Sequence, residues 1–283
     1  MLRAPILACG LALGALAVGL ALAPEAHAQY AEGGARHLAM GRTGVALGGQ
    51  AWGHANPAAW ATAPRSAGLE ASRAYGLDGL RLAGATVAAP LAFGTLAATG
   101  RTYGSGGYTE TRLLAGGARE VPLSSARSLA VGVAAGYDGV SIDGFGSTGT
   151  VHLSAGVQGE MVPGLRVGLA VRNALGIADD AEADLDRPLG AVPGVVAGLA
   201  YAPSERATLT ADAVQDLDGE LSVRAGLEAR VAEPLALRVG VGTAPVTYSA
   251  GIGVLAGPLG ADVAVEVHEV LGLTPAVSLQ VGF

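Results

Sequence analysis

Apolar residues alternate with small or charged ones along much of this chain. From Leu165 to Arg172 every odd residue is apolar and every even one is small or charged. The pattern returns from Val151 to Met161, Leu221 to Val231, Leu235 to Val241 and Val277 to Phe283. A period of two sends alternate side chains to opposite faces of a β-strand. About fourteen such segments fit between residues 66 and 283. Their length, roughly 9 to 12 residues, suits a tilted strand crossing lipid, whereas a typical globular strand has about 5 to 6.

The links alternate too. Those after even-numbered segments are short and carry Pro90, Pro122, Pro163, Pro203, Pro234 and Pro258. Those after odd segments include the three longest, predicted over 101–107, 139–148 and 175–192. Short turns on one rim and longer loops on the other are the asymmetry of an outer-membrane barrel, and an even strand count closes one antiparallel. The expected fold is therefore all-β: a closed antiparallel transmembrane β-barrel of about fourteen strands over 65–283. In such a barrel apolar residues face lipid and polar ones face the lumen.

Composition narrows the class further. Apolar residues make up 51% and charged ones 14%, yet there are 45 Gly and 14 Pro. The uncharged stretches Leu82–Gly100 and Val239–Ala261 are long enough to span as helices, but Pro90, Pro245, Pro258 and many glycines interrupt them. High apolarity without a spanning helix leaves a closed barrel, the other structure that satisfies its backbone in lipid. The net charge of −7 argues against a nucleic-acid partner, which needs clustered positive charge. Aromatic residues are only 4%, so any interfacial girdles are thin.

The first residues have the order of an export signal: Arg3, an apolar run from Ile6 to Leu22, then Ala26-His27-Ala28 as a cleavage site. Residues 1–28 are expected to be removed, leaving Gln29 first and the protein in a bacterial outer membrane, in contact with its lipid. Cys9, the only cysteine, goes with the signal. A disulfide, a thiolate nucleophile and a cysteine metal site are then excluded.

Ten polar residues are predicted to face the lumen: His152, Glu160, Arg166, Arg172, Arg224, Glu228, Arg230, Arg238, Glu266 and His268. They are either a polar permeation path with anchors for a hatch, or charges that pair to satisfy one another, as buried charges must. An arginine-rich lining among small residues is unlike a greasy pocket for a fatty acid. Asp179, Asp180, Glu182, Asp184 and Asp186 cluster in the longest predicted loop, without the glycine spacing of a calcium-binding hand. A solvated acidic loop is expected there. His37, His54, His152 and His268 stand singly without a nucleophile motif. No enzyme activity, cofactor or metal is expected.

Residues 29–64 lack strand alternation and hold both tryptophans, Trp52 and Trp60. Here Gly34-Ala35-Arg36, Met40-Gly41, Val45-Ala46-Leu47 and, further on, Asn56-Pro57-Ala58 resemble the N-terminal segment of the PorV/PorQ family, within the broader FadL-like group of barrels. Similar stretches occur at Val167–Ile177, at Arg238-Val239-Gly240 and from Leu271 to Phe283. The resemblance implies that 29–64 is a plug or hatch inside the barrel, with those motif residues shaping it. It also implies work with a type IX-like secretion machine, binding its translocon or exported proteins. A FadL-like channel for hydrophobic small molecules, and a structural barrel without substrate, remain the alternatives. Asn-Pro-Ala-Ala replaces the family's common Asn-Pro-Ala-Gly, and the chain is short for the family.

Overall fold

The computed structural model describes residues 33–49, 51–52, 55–124, 127–178, 192–217 and 219–283. The expected signal peptide, His54 and the acidic cluster at 179–186 lie outside the described residues. Fourteen strands form one closed barrel: β1 (Ser66–Arg73), β2 (Arg81–Leu91), β3 (Gly94–Ser105), β4 (Tyr108–Ser124), β5 (Arg127–Ile142), β6 (Gly146–Val162), β7 (Leu165–Ala178), β8 (Gly194–Ser204), β9 (Ala207–Asp216), β10 (Ser222–Ala232), β11 (Leu235–Thr243), β12 (Val246–Ala256), β13 (Leu259–His268) and β14 (Gly272–Gly282). Each strand pairs antiparallel with its sequence neighbour, and β1 closes on β14 with Ser66 opposite Gly282 and Ser72 opposite Ala276.

Which face is wet decides between a soluble sandwich and a membrane barrel, and the outward face is the apolar one. Leu69, Val133 and Val263 are 61%, 64% and 60% exposed, and they stand among dozens of other outward Leu, Val and Ile. The buried inward positions hold Thr, Ser, Asp, Glu, Arg and His, and their apolar members are mostly alanine, such as Ala88, Ala134, Ala170 and Ala264. That inversion is the membrane-barrel arrangement.

The rim that carries both ends of the barrel chain has two-residue turns at 92–93, 163–164, 205–206, 233–234 and 257–258. By the rule that periplasmic turns are short, this rim is periplasmic. The opposite rim departs from expectation at all three predicted long loops: β7 runs on through 175–178 before the stretch outside the described residues, and the other two nearly vanish. The stretches 101–105, 139–142 and 146–148 are strand, so the connections shrink to 106–107 and 143–145. The glycines there read as loop, but Thr102, Tyr103, Val140, Ile142 and Thr148 favour strand. Gly106 and Gly107, at φ 63° and 95°, turn the chain in two residues. As a result β4, β5 and β6 run to 17, 16 and 17 residues. Pro90, Pro122 and Pro203, expected in turns, sit in the last residues of β2, β4 and β8. Pro122 and Pro203 lie at register shifts, which tolerate the lost donor.

Because Val263 points to lipid at mid-strand, Val263→Arg is expected to lower barrel stability by about 2 to 4 kcal/mol. Denaturant titration in lipid vesicles should show this loss; an unchanged midpoint would contradict the lipid-facing assignment.

Candidate functional site

The N-terminal segment lies inside the barrel, with Arg42 near the β11–β12 turn at one rim and Gly48 against Arg166 at the start of β7 near the other. It begins with the short helix α1 (Gly34–Ala39), crosses the interior, and ends in a 3-10 turn over Pro57–Thr62 before entering β1. Asn56 starts that turn: its Oδ1 accepts the Ala58 N–H at 2.9 Å, and Pro57 occupies the position where a helix needs no donor. Trp60, fully buried, donates its Nε1–H to the Ala51 carbonyl at 3.0 Å. Trp60 packs with Ala51 and Ala63 against Ala88, Ala97, Leu114, Ala118 and Ala134 of the wall. Met40, Val45 and Leu47 pack on Ala170, Val196, Ala200 and Val214 across the lumen.

Glycines in the wall make this fit possible. A Cβ on Gly132, Gly168, Gly226 or Gly240 would come closer than 3.0 Å to backbone atoms of Pro57, Val45, Met40 and Gly41 respectively. At Gly251 it would meet the Ala39 methyl, and at Gly156 the Asn56 amide. Six strands from β5 to β12 thus leave out a side chain where the segment touches them.

Polar contacts fix the segment in place. The Ala35 N–H donates to Ser278 Oγ at 3.2 Å, and the Gly41 N–H donates to Ser249 Oγ at 3.0 Å. Asn56 Nδ2 donates to the carbonyls of Val45 (2.7 Å) and Val157 (3.1 Å), tying segment to wall. The Gly44 and Val45 N–H groups both donate to Asp212 Oδ2, at 2.7 and 3.1 Å. Arg36 grips Glu228 with two hydrogen bonds of 2.8 and 2.9 Å, and Arg42 grips Glu266 with two of 2.9 and 2.6 Å. Such paired charge-assisted bonds are stronger than neutral ones. Gly34 takes φ 77° beside the Trp52 indole.

Most of the other charges inside also meet a partner. Arg238 bridges Glu228 and Asp262 at 2.6 and 2.7 Å, so Arg36, Glu228, Arg238 and Asp262 form one network. Arg101 pairs with Glu70 at 2.5 Å beneath the Trp52 ring. Asp138 faces both Arg112 (3.0 Å) and His152 (3.3 Å). Arg172 meets Asp216 at 3.0 Å, and Arg166 donates to the side-chain Oε1 of Gln158 at 3.1 Å. Arg224 donates to Ser222. His268 Nδ1 accepts from the Val270 and Leu271 amides, with Tyr75 edge-on to its ring. Of the ten residues predicted to face the lumen, Glu160 and Arg230 keep the inward phase of their strands but lie exposed. They fall in the last three residues of β6 and β10, at the periplasmic rim, where the strand leaves the packed interior.

Several anchors escaped sequence reading: Arg42, Asp212, Glu70, Arg101, Asp138 and Asp262. Asp212 and Asp262 carried a usable signal, since each falls on the polar phase of its strand. Arg42 had none, because its partner lies 224 residues away.

Among the described residues, two spaces between the segment and strands β7 to β13 measure about 20 and 10 Å³, room for roughly one water each. Among the described residues no cluster of His, Cys, Asp and Glu is placed to hold a metal ion.

No protein-family model and no curated protein matches the chain. Solved structures match it in shape. The CymD monoaromatic hydrocarbon channel superposes at TM-score 0.60 and 12% identity, covering 88% of this chain and 97% of that one. A Pseudomonas aeruginosa FadL homologue gives 0.58 and 11%, covering 90% and 99%. The Pseudomonas putida toluene transporter TodX gives 0.55 and 12%, covering 92% and 97%. At such identities the likeness shows the fold alone, a closed β-barrel of the same shape.

Two predictions follow from the packing. Gly240→Val overfills a site where the segment's backbone touches the wall, at a cost of about 1 to 3 kcal/mol. Trypsin should then cut at Arg36 and Arg42 while the barrel keeps its folded mobility on an unheated gel; full resistance would contradict the fit. The second concerns His37, whose Nδ1–H donates to the Gly33 carbonyl at 2.6 Å. Burial foremost, then the neighbouring Arg36, lowers its pKa from 6.5 to about 4. The released segment therefore binds more protons between those values, so closure is strongest above pH 6.5 and weakens as pH falls toward 4. Hydrogen exchange over 34–41 should rise across that window in the native chain and less in His37→Gln.

Proposed function

We propose that this protein conducts hydrophobic small molecules through the bacterial outer membrane and that residues 29–64 are its plug. The proposal includes a cleaved export signal at 1–28 and the barrel over 65–283. The observation that carries it is a closed fourteen-strand barrel, shaped like solved hydrocarbon channels, whose interior holds a segment bound to the wall through breakable polar contacts. A permanent structural barrel needs no such release. The arginine-rich lining that argued against a greasy path is largely neutralised by pairing, so it does not oppose an apolar solute as free charges would.

Secretion comes second. Its support was the likeness of residues 34–58 to the PorV/PorQ segment. Arg36, Gly41, Asn56 and Pro57 all serve packing against the wall, so the motif fits any plugged barrel of this shape. Recovery of a translocon subunit with the tagged protein from native membranes would restore that reading.

Thr43 and Thr210, whose Oγ atoms lie 2.5 Å apart across the plug–wall contact, allow a direct test. Thr43→Cys with Thr210→Cys should oxidise to a lock in a chain whose only native cysteine is Cys9. Uptake of radiolabelled toluene and of oleate by cells carrying the protein should exceed that of empty cells. It should fall to background when the lock is oxidised and return on reduction. Uptake equal to empty cells would refute conduction, and uptake indifferent to the lock would refute the plug.

A further inference from the structure

The lipid-facing surface is not uniform. Across β3 to β7 the pairing register places Leu96, Gly117, Val133, Ala155 and Val171 in one outward row. Gly117 and Ala155 are the small members, so the wall dips on each side of the outward Val133, between it and Leu96 and between it and Val171. The furrow encloses about 610 Å³, and its lining is almost wholly apolar. That volume lies within the roughly 300 to 1,000 Å³ of built ligand sites.

One end of the furrow is charged. It starts at Phe93 and Gly94, in the turn between β2 and β3 on the periplasmic rim. Arg119 stands there, exposed, with its Cβ 3.2 Å from where a Cβ on Gly94 would sit. Arg127, also exposed, lies four residues before Val131 and so on the same outward face, nearer the rim. Glu120, the nearest acid in sequence, falls on the opposite phase and accepts from Ser128. A long apolar trough that ends in arginines at the membrane–water boundary matches an amphiphile with an apolar tail and an anionic head.

We propose that this furrow is a binding site for one anionic phospholipid of the periplasmic leaflet, with its two acyl chains over Gly117 and Ala155 on either side of Val133 and the phosphate at Arg119. The tails gain close packing that a smooth wall does not give, and the guanidinium supplies paired donors to phosphate. The site is on the outer wall, separate from the plugged lumen, and does not depend on what the lumen conducts.

Native mass spectrometry of the full detergent-purified barrel tests it, with phosphatidylglycerol, phosphatidylcholine and free palmitate offered together. The native protein should retain one phosphatidylglycerol. Arg119→Gln should erase the preference over phosphatidylcholine. Gly117→Leu and Ala155→Leu, each filling the trough, should retain about tenfold less, the loss expected when a few methylene contacts are removed. Folded mobility on an unheated gel reports whether each barrel is intact, and either filling variant alone suffices. Equal retention by native and filled proteins, retention of palmitate in place of phospholipid, or no retained lipid would each overturn the proposal.

Discussion

The structure depends on one constraint: inside lipid no water is present to satisfy a backbone amide or carbonyl. An isolated sheet of fourteen strands would leave two unpaired edges, and the pairing of β1 with β14 removes both. Once the sheet is closed, the rest follows in order. The outer face must be apolar, the inner face can be polar, and the enclosed space is too wide for alanine and threonine side chains to fill. The chain fills it with its own N-terminal residues.

Filling the lumen creates a second problem, because the segment brings backbone groups and charges into a dry, narrow space. Two solutions operate side by side. Where the segment passes nearest the wall, the wall has glycine, and backbone lies on backbone. Where charges enter, they enter in pairs or networks, as with Arg36, Glu228, Arg238 and Asp262. A buried pair is weak evidence for stability, since desolvation offsets much of its attraction. Its geometry still defines one position of the segment, and loss of a single partner is costly.

The barrel was legible because its signal is local. Alternation over ten residues identifies a strand such as β10 or β11 without knowledge of its partners. Rim lengths were less legible: the Gly106-Gly107 and Asp143-Gly144 neighbourhoods look like loop centres, and only pairing shows that strand continues on both sides. The inward phase was readable at Arg224, Glu228, Arg238 and Glu266, which are buried, and at Glu160 and Arg230, which share that phase but sit exposed where the rim opens to solvent. The anchoring of the segment was least legible. Arg42 meets Glu266 and Thr43 meets Thr210 through closure of the whole barrel, and local periodicity contains no such information. The wall glycines appeared only as an excess in composition; their common purpose needs the third dimension.

Those glycines have a mechanical meaning. Ordinary cores interlock, and separating them requires side chains to withdraw from one another's gaps. Here the segment lies in a bore that is smooth at the closest contacts, where the wall has no knobs and the segment offers mostly main chain. At those contacts there is little to interlock, so the grip on the segment falls to the apolar clusters around Trp60 and Met40 and to the charged and polar clasps. The clasps, unlike the apolar clusters, respond to ions and to any ligand able to substitute for one of their partners.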